Sequence, residues 1–509
     1  MSSDKPELPE IPYAAVVGET EKLDDPTGGA PLKSKPPSSH RLSLFLSWAA
    51  ILGVSLFMFV SVLYMQLNPD QTPSETGGMS LDLLQVNVAG KALIGQDQFV
   101  PLGSKALKQI EPFNAGPLAQ RYAYSIMVNE FDGPTSALQA LKDIDAAVEE
   151  HGYEPTEKEN RLRQIIGQRL EQYESGDLDS SDMPEEDQQF VSATLGWTGE
   201  LFLYPKETTN EADRKVLLQQ AQMSVVLMGV FCVGIFLLVM TGFLAVVVFL
   251  FLISRNQLRA WFPPTTHHGY IYAETFAIWI VCFFGIQIGI GSIVEFLPDA
   301  IVGYITPIIF FASLVVLIWP LLRGVSFSKM RIDIGWELKN LFVEVGAGVA
   351  AYLATLPLLG AAFVVSALLA SGLAMTQQQD EFSSAGGASH PIVDEFVAGD
   401  SNVIIIALLT ACVAAPIVEE TMFRGVLYRH LREFSVQKAR WASVGLSVLL
   451  NSLIFASIHP QGLAGIPVLT AVAIGMSLAR EWRGSLISSM TMHAIHNTLA
   501  TCMMLLMFS

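Results

Sequence analysis

Runs of about 20 apolar, uncharged residues constrain a chain more than any other feature, because a backbone excluded from water must satisfy its own hydrogen bonds and a helix does so within one segment. This sequence holds about nine such runs, at 43–67, 222–254, 270–297, 301–322, 341–373, 402–423, 441–459, 462–479 and 485–508. They predict an all-α fold: a polytopic transmembrane helix bundle of about nine spans. Charged residues make up 15% of the chain, well under the roughly 25% of soluble domains.

Between the first and second runs the composition turns soluble and acidic. Apolar residues at three and four spacing in PTSALQALKDIDAAVEE and TEKENRLRQIIGQRLEQY predict two amphipathic helices joined by the turn HGYEP. Residues 68–221 are therefore expected to form an inserted, mainly helical domain, with no cluster of catalytic residue types but with scope to recruit a protein partner. Residues 1–41, rich in proline and charge, read as a disordered tail. No A-x-A site follows the first run, so 42–67 is expected to stay as an anchor. Residues 222–509 form the membrane domain.

Basic residues orient the spans. Lys33, Lys35 and Arg41 precede the first run; Arg255 and Arg259 follow the second; Arg323, Lys329 and Arg331 follow the fourth. Arg429, Arg432, Lys438 and Arg440 lie between the sixth and seventh, and Arg480 and Arg483 between the eighth and ninth. If the spans alternate, all these loops share one side, which the bias assigns to the cytoplasm. The N-terminus is then cytoplasmic, while 68–221 and the loop DEFSSAGGASHPIVDEF are extracytoplasmic, in a multi-pass protein expected in the plasma (inner) membrane.

The lipid bilayer is the expected partner. A net charge of -18 with no basic stripe argues against nucleic acid. Cys232, Cys282, Cys412 and Cys502 lie inside apolar runs without CxxC spacing, which suggests packing residues rather than disulfides or a cysteine metal site.

Within the sixth run stands PIVEETMFRG. Each charge at a helix centre costs roughly 2.5–3.5 kcal/mol on insertion scales, so three together call for a use. Glu420 and Arg424 are i and i+4 and can pair; Glu419 points about 100° away and has no counter-ion of its own. An unpaired carboxylate at low dielectric suits a proton acceptor. Pro416 cannot donate a backbone bond and loosens the helix one turn earlier.

The seventh run ends NSLIFASIHPQG, with Phe455 and His459 on one face and Pro460 placing His459 at a helix end. In the ninth, SSMTMHAIHNTLATCMMLL, His493 and Asn497 share a face and His496 is offset from them. Strong hydrogen-bonding groups in apolar helices should face the bundle interior or a cavity. Taken singly, each set could be helix-packing glue. A straight rise from the turns near 436 and 482 puts Glu419 roughly 25 Å deep, His459 roughly 34 Å and His493 roughly 16 Å. One site therefore needs tilted or broken helices, for which HPQGLAGIP supplies glycines and prolines.

EETMFR, FASIH and HAIHN resemble, in order, the EExxxR, FxxxH and HxxxN motifs of the CAAX prenyl protease 2 and bacteriocin-processing (CPBP, or ABI) intramembrane endopeptidases. The resemblance covers about residues 400–509. It implies hydrolysis of a peptide bond within the membrane, on a peptide or protein substrate that reaches the site there. Glu419 and His459 would activate a water, His493 and Asn497 would hold the carbonyl oxyanion, and Glu420, Arg424 and Phe455 would support them. His496 falls at a variable position of the motif. No cofactor is favoured. Zinc on Glu419, His459 and His493 is the alternative, although HExxH is absent. A non-catalytic membrane scaffold or chaperone, using the polar residues as a packing network, is a second alternative. A transporter is a third, through Glu274 and Glu344, but both lie near run ends, where reach of water makes a carboxylate ordinary.

Overall fold

The computed structural model describes residues 38–67, 81–176, 183–206, 210–255, 257–258, 269–293, 296–297, 299–338, 340–376, 382, 401–435 and 439–508. The tail at 1–37, with Lys33 and Lys35, lies outside them, as do 68–80, Arg259, Lys438 and all of the 380–396 loop except Phe382. The chain forms two units, 1–42 and 43–509; of the first, the described part is helical. Among the described residues every regular element is a helix.

α1 (Ser38–Leu67) is followed by α2 (Leu81–Asp97), α3 (Ser104–Ile110), α4 (Leu118–Asp132), α5 (Pro134–His151), α6 (Glu157–Ser175), α7 (Glu185–Leu195) and α8 (Trp197–Leu203). α5 and α6 are the two amphipathic helices expected from spacing. α5 stops at Gly152, whose φ of 62° a side chain would resist. α6 starts at a capping box, in which Thr156 and Glu159 each satisfy the other's backbone amide. The inward faces of α2 and α4–α8 share one apolar cluster, which also takes Leu217 and Ala221 from the first turns of α9 (Glu211–Ser254). Where α2 crosses α9, Gly95 leaves room for the Ala221 carbonyl and no room for a Cβ. A single 44-residue helix thus runs from this cluster into the second apolar run.

The remaining helices are α10 (Gly269–Gly291), α11 (Asp299–Ser313), α12 (Ile318–Leu322), α13 (Phe327–Ile334), α14 (Leu341–Thr376), α15 (401–434), α16 (Arg440–Ser457), α17 (Gly462–Arg483) and α18 (Ile487–Phe508). Seven segments among the described residues are long and apolar enough to cross a membrane: Arg41–Gln66, Glu211–Ser254, Gly269–Gly291, Gly303–Leu322, Leu341–Leu373, Ile404–Phe434 and Gly462–Arg483. The seventh and ninth runs are helical as well, as α16 and α18. The protein is a polytopic helical bundle.

Helices in lipid gain little from burying apolar surface against each other, so close packing and polar pairs must hold them. Gly475 of α17 lies against Thr355 of α14, and Gly348 of α14 against the Ser488 carbonyl of α18; neither site has room for a Cβ. An aromatic series crosses the core: Trp279 to Phe423 at 5.7 Å between centroids, Phe423 to Phe455 at 5.1 Å, and Phe455 to His459 at 4.3 Å.

At one end of the bundle the basic loops share an ionic network. Asp333 receives Tyr272, Lys329 and Arg429, at 2.8, 3.1 and 3.6 Å. Arg480 donates to the carbonyls of Asp333 and Arg424, and Arg432 pairs with Glu481 at 2.9 Å. Two expectations need correction. Glu274 and Glu344 are not watered surface carboxylates: both are buried, Glu274 paired with Arg323 at 2.9 Å and Glu344 with Arg483 at 2.6 Å. Packing places each beside an arginine from elsewhere in the bundle, Arg323 at the end of α12 and Arg483 on α17, which neutralises a charge that desolvation would otherwise penalise. Nor do the cysteines fill the core, since Cys232, Cys282 and Cys502 lie on exposed helix faces as free thiols.

Candidate active site

The site is assembled from α15, the turn after α16, and α18. α15 is not uniformly α-helical. Thr410–Ala414 and Thr421–Leu427 are π-helical, and between them Ala415–Glu420 is α-helical. Pro416 accounts for the first of these irregularities. It has no N–H for the carbonyl four residues back, so the turn before it widens. The side chain of Asn497 on α18 donates to the Ala411 carbonyl in this widened turn, at 2.7 Å.

Glu420 and Arg424 pair at 2.8 Å, and both side chains are 0% exposed. His493 adds a second partner, its Nδ1 lying 3.0 Å from the same Glu420 oxygen. Because an ionised carboxylate only accepts, Nδ1 carries the proton and Nε2 is turned away from Glu420. The guanidinium of Arg424 lies 4.6 Å over the Phe455 ring and donates to the Ala473 carbonyl at 3.3 Å. Phe455 thus lies between the arginine and His459, a platform rather than a reacting group.

His459 follows the C-terminal end of α16, and its Nδ1 meets the Phe455 carbonyl at 2.5 Å. A carbonyl only accepts, so Nδ1 donates here too and Nε2 is the nitrogen left facing the site. That Nε2 lies 3.7 Å from Glu419 Oε2, and the His493 Nε2 lies 3.9 Å from the same oxygen. Both distances exceed hydrogen-bond length. Oε2 of Glu419 is accordingly a buried carboxylate oxygen without a hydrogen-bond partner. The side chains of Glu419 and His459 keep 14% and 17% exposure, while the Oε2 atom itself is buried between them.

Three helices therefore bring Glu419, Glu420, Arg424, Phe455, His459 and His493 into one constellation. Asn497 lies one turn along α18 from His493, with its amide engaged on α15. His496 stands apart from them, 3.4 Å from the Tyr352 hydroxyl of α14. The depths counted from straight, parallel helices are overturned: His459 and His493, each placed roughly 9 Å from Glu419 by that count, both come within 4 Å of its Oε2, as helices that cross at an angle allow. HPQGLAGIP is also more regular than expected, since α17 begins at Gly462 and carries Pro467 inside it.

Two partners were invisible in the motifs. The bond from His493 to Glu420 joins different helices, and the Phe455 carbonyl that orients His459 is backbone. Only the i, i+4 spacing of Phe455 and His459 hinted at the second. The side chains of the zinc alternative face one another but do not make a closed ligand set. Among the described residues, no group of three or more His, Cys, Asp or Glu is arranged to hold a metal ion.

Residues 401–499 match the family model described as Rce1-like, Type II CAAX prenyl endopeptidase Rce1-like. The match takes in α15 to α17 and most of α18, with every residue of the constellation, and agrees with the resemblance carried by the three motifs. It supports a membrane-embedded peptidase. Residues 1–400 lie outside it. No curated protein and no solved structure matches the chain.

Proposed function

We propose that the protein is an intramembrane endopeptidase of the CAAX-protease-like (CPBP) kind, which hydrolyses a peptide bond with a water activated by Glu419 and His459. One observation carries the reading: an unpaired carboxylate oxygen on α15 meets imidazole nitrogens from the turn after α16 and from α18, 3.7 and 3.9 Å away. Gaps of that size between polar atoms are commonly closed by a water. A water there donates one hydrogen to Glu419 and turns its other hydrogen to the free Nε2 of His459. Its oxygen lone pair then attacks the carbonyl carbon, and the proton it loses is held for the departing amine.

The developing oxyanion needs donors. Nε2 of His493 supplies one when the ring carries both its protons, with Nδ1 held by the Glu420 carboxylate. In that form Glu419, Glu420, Arg424 and His493 sum to zero charge, which suits a dry site. Asn497 supplies the second donor through the amide hydrogen it does not spend on Ala411. Glu420 and Arg424 act through His493 and do not touch the substrate. No step is routed through a metal. The substrate enters from the bilayer, and 68–221, as an extracytoplasmic domain, selects or recruits it.

The test compares wild type, Glu419→Gln and His493→Ala, purified in detergent and mixed with the cell's own membrane-protein fraction, new N-termini being read by mass spectrometry. Cleavage should vanish in Glu419→Gln while the melting curve is kept, and wild-type cleavage should survive 1,10-phenanthroline. Loss of folding in both variants would instead favour a structural polar network, and chelator-sensitive cleavage would favour zinc.

A further inference from the structure

Although the family match begins at residue 401, one contact to the start of α17, just past the turn that carries His459, comes from α1, more than 300 residues earlier. Ile458, His459, Pro460 and Gln461 link α16 to α17. The first amides of α17 have no carbonyl within their own helix to bond, as at any helix N-terminus. One of them, the Leu463 N–H, donates to Oε1 of Gln66 on α1 at 3.0 Å. The Gln66 amide also lies directly on Gly462. A Cβ at that position would overlap it, and Gly462 has a φ of +68°, which other residues adopt at a cost. Gln66 is therefore a helix cap supplied by another helix, seated where only glycine admits it.

The neighbouring side chains continue the contact. Phe59, Val62 and Leu63, on the last turns of α1, line a cavity of about 10 Å³ whose opposite wall includes His459. That volume is about what one water needs. At its other end α1 is held by Trp48, whose indole N–H donates to Nε2 of His430 on α15 at 3.1 Å. α1 is thus tied to the helix of the two glutamates at one end and to the histidine turn at the other.

We propose that Gln66 is a positioning residue of the peptidase: by capping α17 and pressing on Gly462, it fixes the His459 turn so that Nε2 faces Glu419. This rests on the proteolytic reading above. The short link cannot shift at Gly462 without swinging His459, because only two residues separate them and α16 has ended before the histidine. Side chains of similar length separate the cap from mere bulk. Leu at position 66 fills the space but accepts no hydrogen bond, whereas Glu retains an acceptor at the same reach.

The experiment uses the full-length protein in detergent with two readouts. The first is cleavage of the cell's membrane-protein fraction, by wild type, Gln66→Leu, Gln66→Glu and Glu419→Gln. The second needs no activity: the rate at which diethyl pyrocarbonate modifies His459, with the exposed His151 as internal reference. Gln66→Leu should lose about tenfold or more in turnover and modify His459 severalfold faster, at an unchanged His151 rate and melting curve. Gln66→Glu should restore both readouts. Wild-type turnover and modification in Gln66→Leu, with Glu419→Gln inactive, would overturn the positioning role and leave the peptidase reading standing. Undiminished cleavage by Glu419→Gln would overturn the peptidase reading, and with it the role assigned to Gln66. If Gln66→Leu unfolds, Gln66→Glu decides: slow turnover with fast His459 modification in that folded variant overturns the proposal.

Discussion

Replacing Arg424 by methionine should unfold the bundle more readily than any surface change, and by an amount the geometry bounds. The guanidinium and the Glu420 carboxylate are both 0% exposed and 2.8 Å apart, so removing the arginine leaves a buried carboxylate with only His493 to balance it. Breaking such a pair from one side costs about 3–5 kcal/mol. Replacing both, as Glu420→Met with Arg424→Met, removes both desolvated charges and should cost less than either change alone. What remains is the His493 Nδ1–H without an acceptor, about 1–3 kcal/mol for a buried unsatisfied donor. The double-mutant cycle should therefore show a coupling of at least about 2 kcal/mol. Unfolding by titration with SDS in mixed micelles, followed by tryptophan fluorescence, measures all four proteins. The reasoning is refuted if Arg424→Met costs under about 1 kcal/mol, as exposed ion pairs do, or if the double variant costs the sum of the singles.

Gly475→Ala should destabilise the contact of α17 with α14 by about 1–3 kcal/mol, as overpacking does, because its methyl would meet Thr355 Cγ2 at 2.6 Å. Thr355→Ala should recover most of this in the same titration; an unchanged midpoint in Gly475→Ala would show that the two helices part freely. Asn87→Ala should weaken the 81–221 helices, because the Asn87 side chain donates to the Leu195 carbonyl at 3.0 Å and accepts from the Thr198 N–H at 2.7 Å. Each group left unpaired costs about 1–3 kcal/mol. Amide exchange should accelerate in α2, α7 and α8, while that of α15 and α18 stays as in wild type.

The two amphipathic helices were legible because their information is local: α5 and α6 carry their own apolar period, their stop at Gly152 and their capping box. The apolar runs were legible for the same reason. The pairing of Glu420 with Arg424 followed from spacing along one helix. Glu274 and Glu344 did not, because their arginines lie 49 and 139 residues away along the chain and no period connects them. The π-helical turns around Glu419 were hinted at only by Pro416.

By itself the sequence determined an all-helical membrane chain and the three motifs that hold Glu419, His459, His493 and Asn497. It could do so because hydropathy and helical spacing are properties of neighbouring residues. Tertiary structure alone decided that an oxygen of Glu419 faces two imidazoles from other helices, and that Glu420 orients one of them. It also decided that α1 caps the helix that follows the turn bearing the other. Distances between helices depend on crossing angles and on where small residues admit close approach, and these arise only when all the faces pack together.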